Sequence, residues 1–478
     1  MPRVNIRELD LTGIDTGSFI DNIVLVPGIK IELLDPETKE YLKDDNGKDL
    51  TLDGTYETIE QFENQIKNIF SHIPSQPESG EDPYEHIKEL AEHFIEDKGY
   101  AIAYLVLNGG LPVEYGGLYD VDILEDGIRP IYPTEDAITA FYNKYADRGA
   151  YDVKFITIPD IDEIDSETVI KNLITQAIFT AGNRGDAYAL INATSAQKTS
   201  DNVLKFVDVF NTENVLRKKI ERPGITWAKD DTNEIYGSYA AIFSPNFVTT
   251  FTIISPVLVN KEQVSYEFKK AIFPAFVNYL LCYGKYTKVT PDWYAISGST
   301  RGVTPFATMI PLNKYGDADI DKFQKRSVND LNEKPVAVNA ICNIRPYGNI
   351  IWGNRTMHPL SAPFGVVSER LDSVQLVASD FLNIRSLCCD IKKTLYRAAR
   401  RYTFDPNSDV LWINFKSAIT PLLEKMKAND GIRDYLIVKV PTTKKALLAA
   451  RIIISPIEAV EDFDLTVELN DAVEVVES

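Results

Sequence analysis

Serine and histidine side chains are the residues of this sequence that could support nucleophilic catalysis. The stretch ISGSTRG, 296–302, places Ser297 and Ser299 in a loop with glycines, and His358 could act as a general base. A hydrolase triad needs a serine, a histidine and a carboxylate, and a lipase-type elbow needs a GxSxG pattern that this chain lacks. Because a serine in such a loop is more often a turn residue, we predict no catalytic residue.

Metal and cofactor sites have little support in the residue pattern. The cysteines, Cys282, Cys342, Cys388 and Cys389, show no CxxC or Cys/His spacing, so we expect neither a zinc site nor a disulfide framework. The acidic run 160–165 is typical of a solvated loop, and Asp44 and Asn46 resemble only the start of a calcium loop. Because no P-loop or GxGxxG motif occurs, we predict no metal and no cofactor.

Charge is distributed unevenly along an acidic chain of 478 residues with a net charge of −20. This balance argues against a nucleic-acid binder, which needs a basic surface. The segment 458–478 carries eight acidic residues and no basic one. The stretch KKTLYRAARR, in contrast, holds only bases among its charged residues: Lys392, Lys393, Arg397, Arg400 and Arg401. A solvated helix face and a docking surface for an acidic partner both fit this basic face.

Helices and turns are predicted at several places in the first half of the chain. Apolar periodicity predicts helices over 55–70 and 84–99, and a third from Asp165 or Ser166 to a stop at Gly182. Turns are predicted at Asp35-Pro36, at Asn46-Gly47 as a hairpin, and at the RGD triplet, 184–186.

Buried strands are predicted between these helices. Apolar runs occupy 100–107, which Asn108-Gly109-Gly110 would end, and 151–159, 187–193 and 236–245. Near-continuous apolar strands that alternate with helices are typical of a mostly parallel α/β sheet covered on both faces.

The stretch YGNIIWGNRT, 347–356, predicts a short buried strand that ends at a close turn. Gly353 would allow the turn, and Trp352 would fill the core beneath it. Arg355 would then tie the strand end to a carboxylate or a carbonyl terminus near a domain joint. A buried arginine that is correctly paired is costly to break.

The last third of the chain is predicted to be mainly helical. A 3.6-residue apolar period over 377–402 predicts a long helix with one buried face. A second helix follows Asp405-Pro406, contains Pro421 and ends at Gly431, and a strand follows over 434–440. Near the two chain ends, short alternating patterns predict strands that pair with this chain's own sheet or with a neighbour's: Val4 and Ile6, and Phe463, Leu465, Val467 and Leu469.

Several of these stretches, in order, resemble the contractile tail sheath proteins of myovirus-type bacteriophages and pyocin-like particles. The stretch 338–357 is similar to the family's signature, here with Trp352, Gly353, Arg355 and Thr356. Similar pieces are YLVLNGGLPVEY, GSYAAIFSPNF, RRYTFDPNSDVLW, where Asp405 replaces a glutamate, and IIISPIEAVEDFDLTVEL. They lie in order between about residue 87 and residue 470, whereas 30–80 match only loosely.

The resemblance implies a fold and a domain order. The implied fold is α/β: a subtilisin-like, mostly parallel sheet domain without an active site, an α+β C-terminal domain and a small β-rich peripheral domain. We expect the following division: an N-terminal arm, 1–24; the peripheral domain, 25–83; the sheath domain, 84–355; the C-terminal domain, 356–457; and a C-terminal strand, 458–478.

The resemblance also implies a structural function, not an enzymatic one. Such subunits stack as hexameric rings around a tail tube, contract, and drive the tube through the bacterial envelope so that the genome is ejected. The implied partners are other copies of the chain, the tube, and baseplate and tail terminator proteins, with no nucleic acid and no membrane. The implied location is the virion tail, assembled in the host cytoplasm. An enzyme on a related α/β fold is the alternative.

Overall fold

The structure is a computed structural model, and its elements follow the chain from Asn22 onward. The residues that it describes are 22–74, 80–125, 127–221, 234–259, 262–305, 308–324, 336–359, 378–442, 445–457 and 459. The strands are β1 (Ile23–Ile29), β2 (Gly54–Tyr56), β3 (Val113–Leu124), β4 (Gly127–Ile131), β5 (Val153–Thr157), β6 (Tyr188–Asn192), β7 (Ala240–Ser244), β8 (Phe247–Val259), β9 (Glu262–Phe273), β10 (Ile310–Pro311), β11 (Asn339–Ile344), β12 (Gly348–Trp352), β13 (Ile432–Val440) and β14 (Ala449–Pro456). The helices are α1 (Ile59–Ser71), α2 (Glu85–His93), α3 (Lys98–Asn108), α4 (Glu135–Lys144), α5 (Glu167–Arg184), α6 (Ser200–Asp208), α7 (Ala275–Tyr286), α8 (Gly298–Arg301), α9 (Asp317–Gln324), α10 (Leu382–Arg401) and α11 (Asp409–Ala428).

A nine-stranded sheet in the order β12-β11-β7-β6-β5-β1-β3-β2, with β4 beside β3, forms the centre of the molecule. The pairs from β11 to β3 are parallel, and β2, β4 and β12 are antiparallel. Every residue of β5, β6 and β7 is buried. Because neighbouring side chains on a strand point to opposite faces, both faces must be covered. The prediction of a mixed α/β protein with a mostly parallel sheet is confirmed.

The predicted division at residues 24 and 83 does not match the sheet. Strand β1, Ile23–Ile29, lies between β5 and β3 in the middle of the sheet, and all seven of its residues are buried. Strand β2 pairs with β3, and Phe62 and Ile66 of α1 lie in the same core. Much of 25–83 is therefore part of the central fold, although Asn46-Gly47 does form the predicted hairpin turn between Lys43 and Asp49.

The prediction of a strand over 100–107 is wrong, because these residues form helix α3. The Asp97 side chain accepts a hydrogen bond from the Tyr100 N–H at 2.8 Å and so caps the helix. Helix α3 is buried on nearly all sides, so it shows no polar stripe. A short apolar run of this kind fits a buried strand or a buried helix equally well.

The predicted start of helix α5 is correct, whereas its predicted end at Gly182 is not. Helix α5 begins after Ser166, which caps it as predicted, but it continues past Gly182. It ends at Gly185, whose φ of +73° is the left-handed conformation of a helix cap. The RGD triplet is therefore the helix-terminating turn that the sequence predicts.

The C-terminal part has a small core of its own. Helices α10 and α11 and the antiparallel pair β13–β14 enclose it, and Trp293 from the central part joins it. The Trp293 indole N–H donates to the Asn429 carbonyl at 3.0 Å. Pro421 lies inside α11, and Asn429 caps that helix just before Gly431.

Candidate functional site

Strand β12 ends in a turn that joins the two cores. The Asn339 side chain accepts from the Arg355 N–H at 2.8 Å and donates to the Arg355 carbonyl at 2.8 Å. Gly353 has φ of +142°, and a Cβ atom there would lie 2.9 Å from Asn339 Oδ1. This position therefore needs glycine, because Asn339 occupies the space and the backbone conformation is rare for other residues.

The side chains around the turn differ from the prediction in one respect. Arg355 is 3% exposed, and its guanidinium carbon lies 4.7 Å from the centre of the Phe381 ring. Trp352 does not fill a core, because its side chain is 39% exposed. The core of β12 consists of Ile350 and Ile351 instead. Arg355 is therefore buried at the joint, whereas Trp352 lies on the surface. The tie of Arg355 to a carboxylate or a carbonyl terminus stays a prediction.

Paired amides connect this turn to the start of α10. Asn354 donates through its side chain to Asn383 Oδ1 at 2.7 Å, and Asn354 Oδ1 accepts from the Asn383 N–H at 3.1 Å. Asn383 also donates to the Trp293 carbonyl at 3.3 Å. Thr356 N–H donates to the Asp380 carbonyl at 2.9 Å. The side-chain amides of Asn354 and Asn383 each form hydrogen bonds through both the oxygen and the nitrogen. These bonds hold the turn and the helix in one relative position.

Helix α10 also contacts the central sheet through buried charges. Lys154 Nζ on β5 lies 2.7 Å from Asp390 Oδ1, and both side chains are almost fully buried. Burial raises the pKa of Asp390 to about 6, although Lys154 acts in the opposite direction. Lys154 also donates to the Tyr283 hydroxyl at 2.8 Å. Ion pairs and hydrogen bonds therefore fix α10 on the sheet in addition to apolar contacts.

Most of the predicted basic docking face is engaged inside the molecule. Lys393 contacts Asp152 at 2.7 Å, and Arg397 pairs with the same carboxylate. Lys392 contacts Glu234 at 2.7 Å. These three side chains help to dock α10 onto the central part of the molecule, and we correct the expectation that all five bases form one free surface. Arg400 and Arg401 are exposed.

The antiparallel pair β13–β14 has two outer edges that pair with no other strand among the described residues. One face of the pair packs on the small core through Ile437 and Ile452. The other face exposes Leu436, Val438 and Ile453 at 56%, 37% and 43%. A short hairpin with open edges and an exposed apolar face is a natural acceptor for an additional strand.

The predicted strand residues of the chain ends lie outside the described residues. These residues are Val4, Ile6, Phe463, Leu465, Val467 and Leu469. Their role at an interface between subunits stays a prediction.

The residues considered for catalysis do not form a hydrolase triad among the described residues. His358 Nδ1 lies 2.7 Å from Asp380 Oδ1, but no described hydrogen bond joins His358 to a serine hydroxyl. Ser297 precedes the short helix α8, and Ser299 is exposed within it. In the described ranges no three histidine, cysteine or acidic side chains are grouped to hold a metal. No described helix is both long and apolar enough to cross a membrane.

The acidic run 160–165 is the predicted solvated loop only in part, because Glu163 and Asp165 are exposed whereas Asp160 and Asp162 are not. Asp160 is 3% exposed and accepts from Lys98 Nζ at 2.7 Å. Asp162 accepts from the Ser195 N–H at 2.7 Å and from the Asn246 side chain at 2.8 Å. Burial raises the pKa of Asp162. Asp160 and Asp162 therefore connect this loop to distant segments of the chain, which composition alone does not indicate.

Comparison with known proteins identifies the fold. No protein-family model matches the chain, and no curated protein sequence matches it. A chain from the PVC sheath complex of an extracellular contractile injection system, in the contracted state, is similar with a TM-score of 0.53 and 12% identity, over 94% of this chain and 92% of that chain. A chain from the six-fold symmetrised baseplate of the anti-feeding prophage is similar with a TM-score of 0.53 and 12% identity, over 94% of this chain and 93% of that chain. A chain from the contracted state of that baseplate is similar with a TM-score of 0.50 and 12% identity, over 94% of both chains. The chain therefore has the fold of contractile sheath proteins.

Proposed function

We propose that this chain is a structural subunit of a contractile sheath. Copies would polymerise as stacked hexameric rings around an inner tube and contract to drive the tube through a bacterial envelope. The observation that carries the proposal is the fold match over 94% of the chain to a chain of a contractile sheath complex. The ordered sequence pieces between 87 and 470 support it independently.

The open β13–β14 hairpin supports assembly through exchanged strands. Each edge of the hairpin offers main-chain groups, and each added main-chain hydrogen bond contributes about 0.5–1.5 kcal/mol. The alternating segment 463–470 and the N-terminal segment around Val4 and Ile6 are the strands that we propose for these edges. A strand near a chain end can leave its own subunit while the central fold stays intact.

The particle type, the partners and the C-terminal domain follow as parts of the same proposal. The sequence pieces favour a bacteriophage tail or a pyocin-like particle, whereas the structural relatives come from an extracellular injection system and the anti-feeding prophage. We infer a tube, a baseplate and a tail terminator as partners. We also infer a subtilisin-like topology for the central sheet and a separate C-terminal domain over 356–457.

Electron microscopy of the purified full-length chain tests this proposal. We expect rings or helical tubes from the full chain and folded single subunits from a variant that lacks residues 1–20. The deletion spares the described fold, which starts at Asn22, where the side chain donates to Asp292 Oδ2 at 3.1 Å. Tubes of normal length from the truncated chain would show that the N-terminal segment has no role in assembly.

The enzyme alternative has a separate test. Purified chain would be assayed against esters and peptides together with the Ser297→Ala, Ser299→Ala and His358→Ala variants. We expect no activity that depends on these residues. A hydrolytic activity that any of the three substitutions removes would favour the enzyme.

A further inference from the structure

A basic pocket lies between the loop before β5 and the C-terminal half of α10. We call it the Arg148 pocket; its volume is about 170 Å³, and its lining includes Arg148, Asp152, Lys393, Tyr396 and Arg400. A pocket lined by several cationic side chains is unexpected in a chain with a net charge of −20. Only Arg400 of these residues belongs to the exposed part of the predicted basic face.

The two carboxylates that line the pocket already have cationic partners. Asp152 is paired with Lys393 at 2.7 Å and also with Arg397. Asp186, which lines the same pocket, is paired with buried Arg184 at 3.0 Å. The acids of the lining therefore do not neutralise the arginines at its mouth.

Arg148 and Arg400 are both exposed, and both lie beside the ring of Tyr396. The guanidinium carbon of Arg148 is 4.1 Å from the ring centre, and that of Arg400 is 5.8 Å away. Among the described residues neither guanidinium forms an ion pair with a carboxylate. The nearby Asp147 accepts from the Gly149 N–H at 2.8 Å. A guanidinium stacked on an aromatic ring keeps its N–H edge available for a planar anion.

We propose that the Arg148 pocket binds carboxylate side chains of the acidic segment 458–478 of a second copy of this chain. The inference rests on the proposed function, because a second copy must be close by. Two neighbouring guanidinium groups match the two oxygens of a carboxylate. The segment is complementary in charge, since it holds eight acids and no base. A pocket of this kind would set the position of the segment and speed its docking.

A fluorescent peptide with the sequence of 458–478 tests the pocket on the full-length protein. Its dissociation constant would be measured by fluorescence anisotropy for the wild type and for the double variant Arg148→Ala/Arg400→Ala. The matched control is Arg345→Ala/Lys416→Ala, which removes two exposed cations elsewhere. A second peptide carries Asn or Gln at each acidic position. Circular dichroism would confirm that both double variants are folded.

We expect the pocket variant to weaken peptide binding about tenfold at low salt, in line with two partly exposed charge pairs. The control should change it less than about twofold, and the neutral peptide should bind much more weakly. Equal binding by the pocket variant and the control would overturn the proposal. So would equal binding of the neutral peptide, or stronger pocket-dependent binding of single-stranded DNA than of the acidic peptide.

Electron microscopy of the same samples separates this inference from the proposed function. Tubes from the wild type, together with peptide binding that ignores the pocket substitutions, would reject the pocket and keep the sheath function. Pocket-dependent peptide binding without rings or tubes under any condition would keep the pocket and reject the sheath function.

Discussion

Lys154 Nζ on β5 lies 2.7 Å from Asp390 Oδ1 on α10, and their side chains are 1% and 2% exposed. This buried pair joins the central sheet to the first helix of the C-terminal part. Two buried charges are stable only together, because each would otherwise lose its hydration without compensation. The relationship therefore makes the attachment of α10 sensitive to single substitutions.

Removing one partner of this pair should strongly destabilise the protein. We expect Lys154→Met to lower the free energy of unfolding by about 3–5 kcal/mol, because it leaves the Asp390 charge buried and unpaired. The double variant Lys154→Met/Asp390→Leu should recover part of that loss. Urea denaturation followed by tryptophan fluorescence measures both.

The control for this prediction is an exposed pair. Lys439 lies 2.8 Å from Asp409, and the aspartate side chain is 91% exposed. Lys439→Met should cost less than about 1 kcal/mol. Similar losses of unfolding free energy for Lys154→Met and Lys439→Met would show that the buried pair does not attach α10 to the sheet.

The contribution of Asp97 to the free energy of unfolding should fall as the pH rises from about 4 to about 7. Burial raises the pKa of Asp97 to about 7, well above the ordinary carboxyl value. The folded state therefore holds a proton that the unfolded state has released, and the contribution of this proton is lost as the pH passes the folded pKa. Asp97→Asn should make the free energy of unfolding less dependent on pH.

Denaturation at pH 5 and pH 8 checks this prediction. Relative to the wild type, the free energy of unfolding of Asp97→Asn should be higher at pH 8 than at pH 5. Some dependence should remain, because burial also raises the pKa of Asp390 and Glu163. An identical pH dependence in the two proteins would show that Asp97 does not titrate in this way.

Gly353→Ala should destabilise the joint between the cores. The φ of +142° and the close Asn339 side chain leave no room for a methyl group, and such backbone strain costs about 1–3 kcal/mol. Gly316→Ala is the matched control, because nothing lies within 4 Å of its added Cβ. The control should change the melting temperature little; an equal shift for both variants would remove the special role of Gly353.

The segment 463–470 should support assembly mainly through its apolar positions. We expect Val467→Asp to abolish tube formation, because it places a charge on the side that we propose to be buried. Asp464→Asn should only slow assembly and reduce its dependence on salt, because exposed charge pairs are weak and screened. Light scattering against time at two salt concentrations would show the difference. Normal tubes from Val467→Asp would contradict strand exchange by this segment.

The central strands and the long C-terminal helices could be predicted from the sequence. Strands β5, β6 and β7 are mostly apolar because they are buried on both faces. Helix α10 follows from its 3.6-residue period, since one side packs on a core. Helix α3 was not predictable in this way, because a helix that is buried all round has no polar stripe to set its period.

The ion pairs of the candidate site could not be predicted because their partners are far apart in the chain. Lys393 and Asp152 are separated by 241 positions, and Lys392 and Glu234 by 158. A run of bases on a helix looks the same whether it faces solvent or a distant carboxylate. Arg148 was missed for the same reason, since only the fold brings it beside Tyr396.

A cryo-electron microscopy reconstruction of assemblies formed by the full-length chain is the decisive test of sheath assembly by strand exchange. We expect a tubular lattice in which a strand from another copy pairs with an edge of β13–β14. This expectation would be contradicted by single subunits under all assembly conditions, or by a lattice in which both edges of the hairpin stay unpaired.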